Sequence, residues 1–377
     1  MVRKVLFITT IGGFLQQFEM NDIAILKEKG YEIHYASNFN NPVYSFDTDE
    51  LRKQGIMLHH IDIEKSPGKI RKNILAFRQI KKILKSEKFD AIHCHNPLGG
   101  VLGRLSCIGT KTKVIYTAHG FHFYKGAPLL NWLIYYPIEY ILARCTDGIV
   151  TINKEDYERA KKMKLRRGGV IERIPGVGID TRKFMPHPEL KKEIRAELGI
   201  PEDAFYILSV GELNKNKNHK TVLEAIASIH DEKIYYGICG KGCEKEELHD
   251  TAKRLGLEKR FYLYGFRNDI PRMLQAADCF VFPSKREGLG IAAIEAMATG
   301  IPLITSDCRG TREYMRHEEN GLVCFKGTPQ EYAENILRMR DDTAMRKRMA
   351  ESCVTASKHF AVERTDRHMR NLYNKLL

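Results

Sequence analysis

The chain has 377 residues, too many for one ordinary core, and its 43% hydrophobic and 29% charged composition excludes a disordered or fibrous protein. Sixty-one lysines and arginines against 47 acidic residues give +14, a balance that favours anionic partners: nucleic acid, anionic lipid or phosphorylated substrates. Nine cysteines without a repeated spacing predict buried thiols in a reducing compartment rather than a disulfide framework.

The N-terminal MVRKVLFITTIGG has a short apolar run and no small-residue cleavage site, so it is a first strand and not a signal peptide. Gly12 and Gly13 form a turn behind it. YEIHYAS, DAIHC, KVIYTA and DGIVTI repeat the apolar, β-branched pattern, with helical periodicity between them, as over residues 69–86. Such alternation predicts parallel sheets covered by helices on both faces. Asp47-Thr48-Asp49 spells a D-x-D motif, but no strand runs into it, and it is read as a surface turn. His93 and His95 have no acid or cysteine at ligand spacing, which places them as packing or site-lining residues. No segment approaches the ~20 apolar residues of a spanning helix; the best, Trp132 to Ala143, contains Pro137 and Glu139. A cytoplasmic protein is expected.

Residues 173–188, RIPGVGIDTRKFMPHP, hold three prolines and two glycines and mark a join. Domains are expected over 1–185 and 186–355, with a basic helical tail, 356–377, packing back on the first. YILSVG, KIYYGICG, RFYLYG, DCFVFP and PLITS supply the second series of strands. Cys239 and Cys243 in CGKGC lack the second pair that a zinc site needs. The stretch KREGLGIAAIEAMATG, 285–300, joins a strand to an amphipathic helix. Gly288 and Gly290 let a ligand approach the backbone, and the first-turn amides favour an anion. Glu287 and Glu295 stand eight residues apart, a span of roughly 12 Å along a helix. Glu295 suits the paired hydroxyls of a ribose and Glu287 the sugar beyond a diphosphate. The plainer alternative is that Glu287 caps the helix and Glu295 is an ordinary helix residue.

REGLGIAAIEAMATGIPLI resembles the signature of family 4 retaining glycosyltransferases. TAHGFHFYKGAPL (117–129) and VGELNKNKNH (210–219) are similar, more narrowly, to bacterial capsule and exopolysaccharide glycosyltransferases. The resemblance runs from the first strand to about residue 340. It implies the GT-B fold: an α/β protein of two doubly wound, Rossmann-like domains facing across a cleft, the first for the acceptor and the second for a nucleotide-sugar. In that family Glu295 would hold the ribose, Glu287 would lie by the donor sugar, and Gly288, Leu289 and Gly290 would meet sugar and phosphate through the backbone. Lys217 matches the diphosphate lysine, whereas Glu212 stands where an arginine is expected, with Arg286, Arg309 or Arg173 as substitutes. Phe266 and Arg267 fall in the base-binding loop; core and solvent positions are equally open to them. His119 would face the donor sugar, with His122 a weaker candidate, and Gly13 would lie near the acceptor.

The reaction so implied is sugar transfer with retention from a nucleotide-sugar, UDP favoured, without metal or further cofactor. The acceptor would be a lipid-diphosphate-linked saccharide. The basic helix 69–88, the KKMKLRR run at 161–167 and the aromatic segment GAPLLNWLIYYPIEYI suit an anionic membrane surface, hence a peripheral place at the inner face of the cell membrane. A soluble-substrate enzyme, such as a nucleotide-sugar epimerase or a sucrose-synthase-like protein, is the alternative. A nucleic-acid-binding protein is the other rival, but no RNP, KH or zinc pattern is present.

Overall fold

The computed structural model describes residues 2–40 and 46–377. The chain divides into two compact units, Met1–Val177 with Glu363–Leu377, and Gly178–Val362.

The first unit has seven parallel strands: β1 (Arg3–Ile8), β2 (Tyr31–Ser37), β3 (Ile56–His60), β4 (Ala91–His95), β5 (Lys113–Ala118), β6 (Gly148–Thr151) and β7 (Val170–Arg173). Their order is β3-β2-β1-β4-β5-β6-β7. Val5 to Ile8 are all fully buried, because helices cover both faces of this part of the central strand, while Arg3 at its start is exposed. The order reverses between β1 and β4, so their carboxyl ends leave a crevice of the kind that binds ligands in doubly wound sheets. The helix Pro97–Ser106 lies close on this sheet because it carries glycines: a Cβ on Gly103 would stand 2.3 Å from Cys94 Sγ, and one on Gly100 2.4 Å from the Tyr116 ring.

The second unit has six parallel strands: β8 (Phe205–Val210), β9 (Ile234–Cys239), β10 (Phe261–Gly265), β11 (Cys279–Phe282), β12 (Leu303–Ser306) and β13 (Gly321–Cys324). Their order is β10-β9-β8-β11-β12-β13, and the reversal falls between β8 and β11. The core is aliphatic and aromatic, from Ile207, Val222, Ile238 and Val281 to Tyr332 and Met349.

The chain passes between units at Val177–Gly178 rather than near residue 185. Residues just after Gly178 are tied to the second unit: Ile179 donates its amide to Phe360 O, and Val362 donates to Ile179 O. The tail expected over 356–377 is two pieces. The helix Thr343–Ser357 ends in the second unit, and a separate helix, Val362–Leu376, follows. From it Tyr373 donates to Asp22 in the first unit at 2.9 Å. No helix among the described residues is long and apolar enough to cross a membrane.

Candidate functional site

In the second unit the loops after β8 and β11 meet at the strand reversal and are stitched together. Asn216 Nδ2 donates to Arg286 O at 2.9 Å, Lys285 N donates to Asn216 O at 2.8 Å, and Lys217 Nζ lies 2.7 Å from Glu287 Oε1. Lys217 also stands 4.8 Å over the Phe282 ring, and its stem packs beside Gly211, where a Cβ would come within 3.3 Å of it. The ammonium is thus fixed in place, side chain only 20% exposed, instead of waving in solvent. Gly310, in the loop after β12, backs this turn: a Cβ there would meet Leu289 backbone atoms at 2.8 Å and Glu287 Cβ at 2.9 Å.

Glu287 does not cap the following helix. The helix Ile291–Ala298 begins after Gly290, which sits at φ 91° with no side-chain cap. A Cβ on Gly290 would approach Phe282 Cε1 to 2.7 Å, so both the backbone angle and the packing require glycine. Leu289 is buried and holds the turn down. The start of the helix thus follows directly on the turn to which Lys217 is tied through Glu287, an arrangement suited to a phosphate. One turn further on, the half-buried Glu295 carboxylate makes no hydrogen bond to any described residue. Burial pushes its pKa up to about 7, against the opposing pull of Lys183. A desolvated acceptor with both oxygens uncommitted is what paired hydroxyls would satisfy.

Glu212, after β8, is exposed, and Arg286 is exposed. Arg309 is largely buried. A cation that spacing did not single out is Lys241. Gly240 and Gly242 flank it because a Cβ on either would run into the Gly211–Leu213 backbone, at 1.8 Å and 2.2 Å respectively. CGKGC is thus a close crossing of two loops, with Leu213 N donating to Lys241 O at 2.9 Å. Its paired glycines were the available signal. Lys241 Nζ lies 5.9 Å from the ring centre of Phe266, which is 43% exposed rather than a core residue. Arg267 is engaged twice by Asp269, Nε to Oδ1 at 2.7 Å and Nη2 to Oδ2 at 2.5 Å, which leaves Nη1 uncommitted to that carboxylate.

In the first unit Gly13, at φ 86°, opens the helix Phe14–Phe18 beyond β1. His119 follows β5 directly. Its Nε2 lies 3.2 Å from His95 Nδ1 and 3.6 Å from Glu19 Oε1, and Phe14 meets its ring edge-on. Burial pushes the His119 imidazole down to about 4, the neutral form at physiological pH. His93 is enclosed and bonded on both nitrogens, to Tyr373 at 3.0 Å and Thr117 at 2.8 Å, whereas the His122 ring lies 4.7 Å from that of Tyr135, tilted by 34°. Asp47 of the D-x-D motif accepts from the amides of Asp49 and Glu50 as the cap of the helix Thr48–Lys53, which explains its exposed acids without a cation.

The helix Leu129–Ala143 inverts one expectation. Its aromatics Trp132 and Tyr136 pack inward on Phe123, and the exposed stripe is aliphatic: Leu129 73%, Leu130 63%, Leu133 65%, Ile141 61%. The helix Ile70–Ser86 exposes Ile70, Ile74 and Leu75 among its cations.

Residues 191–353 match the family of glycosyl transferases group 1, and residues 4–153 match the glycosyl transferase 4-like family. A putative glycosyltransferase of Bacillus subtilis, EpsD, is 35% identical over 99% of this chain and 97% of its own. An Escherichia coli galactosyltransferase that uses UDP-Gal and an α-D-GlcNAc-diphosphoundecaprenol is 28% identical over 88% of this chain and 86% of its own. The crystal structure of Anabaena HepE in complex with UDP and glucose superimposes with a TM-score of 0.80 at 20% identity, covering 99% of both chains, and fixes the fold as GT-B.

Proposed function

The chain belongs to the group 1 glycosyltransferases, and from that premise we propose that it transfers a sugar, with retention, from a UDP-sugar to a lipid-diphosphate-linked saccharide in exopolysaccharide or capsule assembly. The observation that carries this reading is the Lys217–Glu287 pair beside the Gly288–Gly290 turn, with Glu295 one step along the same helix. We assign the second unit to the donor. Lys217 and the amides of residues 288–290 meet the diphosphate, Glu295 accepts from the ribose hydroxyls, and Phe266 covers the base, with Lys241 beside it. Glu287 lies by the sugar, and His119 and Gly13 in the first unit belong to the sugar and acceptor side.

The chemistry follows from charge. As the glycosidic bond breaks, negative charge grows on the diphosphate, and a lysine held rigid by Glu287 and Phe282 stabilises it without reorganising. Lys217 replaces with one fixed cation, plus helix amides, what two loop cations would supply. No side chain stands as a nucleophile; the leaving diphosphate helps take the acceptor hydroxyl's proton as that oxygen attacks the same face. UDP is favoured because the HepE structure holds UDP and the similar galactosyltransferase uses UDP-Gal. A lipid-linked acceptor agrees with the diphosphoundecaprenol substrate of that relative and with the exposed aliphatic helix Leu129–Ala143.

The test is thermal stability against UDP-, GDP- and ADP-sugars. Selective stabilisation by UDP-sugars, lost in Glu295→Ala, is expected, since ligands that bind the folded state raise its midpoint by mass action. No shift with any nucleotide, or one unaltered in Glu295→Ala, would refute the donor-site assignment.

A further inference from the structure

Three side chains from distant parts of the sequence converge at the strand reversal of the first unit. Glu19 comes from the junction of the helices Phe14–Phe18 and Met20–Glu28, His95 ends β4, and His119 follows β5. Glu19 Oε1 lies 3.2 Å from His95 Nδ1 and 3.6 Å from His119 Nε2, and the two ring nitrogens are 3.2 Å apart. Donors bound at about 2.0–2.1 Å around one tetrahedral ion are separated by ~3.3 Å. The triangle has that size on all three edges.

Hydrogen bonding does not account for it. One proton serves the edge between His95 and His119, but Glu19 Oε1 is buried and has no hydrogen-bond partner, and Glu19 as a residue is 5% exposed. A carboxylate in that position requires a nearby positive charge or must give up its own. We propose that Glu19, His95 and His119 bind one divalent transition-metal cation. Two imidazoles and a carboxylate suit Zn²⁺, Co²⁺, Fe²⁺ or Mn²⁺ better than Mg²⁺ or Ca²⁺. Phe7 and Phe14 wall the site, while the His119 side chain is 22% exposed and leaves a way in for the ion and for an oxygen as fourth ligand. The proposal shares His119 with the sugar side of the proposed transfer site, and its test is read with metal alone, so an unidentified donor or acceptor does not decide it.

A second group, His34, His59 and Glu87, also brings ligand atoms together, but both His34 nitrogens there are hydrogen-bonded, to His59 at 2.8 Å and Glu32 at 2.7 Å. It serves as the control. The full-length protein, stripped with chelator, is titrated with Co²⁺ and then Zn²⁺ and followed by visible absorption. The expected result is a d–d band that saturates near about one equivalent and disappears when zinc displaces cobalt. Affinity should fall at least about tenfold in Glu19→Gln and His119→Asn and stay unchanged in His59→Asn. Circular dichroism checks that each variant is folded; if Glu19→Gln is not, the partly exposed His119→Asn decides. No saturable band in the wild type, a band that survives both site variants, or one lost in His59→Asn overturns the proposal.

Discussion

At the scale of the residue, Glu295 and Lys217 make different contributions and should separate experimentally. Glu295 has its pKa pushed up to about 7 by burial, so near neutrality a fraction of the protein carries it protonated. Only the ionised form can accept from both ribose hydroxyls. Donor affinity should therefore rise as pH increases through 7 and level off above it. Glu295→Gln should weaken binding roughly tenfold or more, the size of hydrogen bonds to a charged group, and flatten that pH dependence. Isothermal titration with UDP between about pH 6 and pH 8 reads both effects. Lys217 is already paired in the free protein, at 2.7 Å from Glu287, so its ground-state attraction for the donor is partly cancelled. Its value lies in the charge that appears as the bond breaks. Lys217→Met should lower kcat by roughly 10²–10³ and move KM much less. Equal loss in both constants would place Lys217 in uniform binding instead.

At the scale of the element, what could be read from the sequence follows from how each element is buried. Strands such as VLFI in β1 and YILSV in β8 are enclosed on both faces, leave apolar runs, and appear where those runs predict them. The strand-turn-helix at 279–298 is equally legible, because glycine has few uses and Gly290 meets two of them at once, a positive φ and contact with Phe282. Side-chain partnerships were not legible. Glu19 gave no local sign of joining His95 and His119, since strand order alone brings these sites together. Arg267 gave none of its commitment to Asp269, and the inward turn of Trp132 and Tyr136 depends on which helix face meets Phe123. Glycines in PLGGVLG carry no packing signal in the sequence, yet in the fold Gly100 and Gly103 set the distance between helix and sheet. Gly103→Val has no room beside Cys94 and should destabilise the protein by about 3 kcal/mol or more. Its thermal midpoint should fall by roughly 5–10 °C, whereas Gly109→Ala, with nothing within 4 Å, should show only the smaller cost of a positive φ.

At the scale of the whole molecule, we propose that the +14 charge and the exposed aliphatic stripe serve one property, attachment to an anionic bilayer surface. Charge alone would also suit nucleic acid, but the exposed Leu129, Leu130, Leu133 and Ile141 have no use on a polyanion and would be a solubility liability on a surface that met only water. Insertion to the headgroup boundary would remove their apolar area from water, and the cations on Ile70–Ser86 would add roughly 1 kcal/mol each near the surface. The two contributions respond to different variables. Flotation with vesicles containing anionic lipid should carry the protein up at about 0.1 M salt and lose most of it near 1 M, where the screening length shrinks from about 10 Å to 3 Å. Leu133→Ser with Ile141→Ser should weaken flotation at every salt concentration while donor binding by titration stays intact, because neither residue lies in the unit that holds Lys217 and Glu295. Flotation that ignores these two substitutions would confine the attraction to charge, and no flotation at any salt would favour a soluble acceptor for the same donor chemistry.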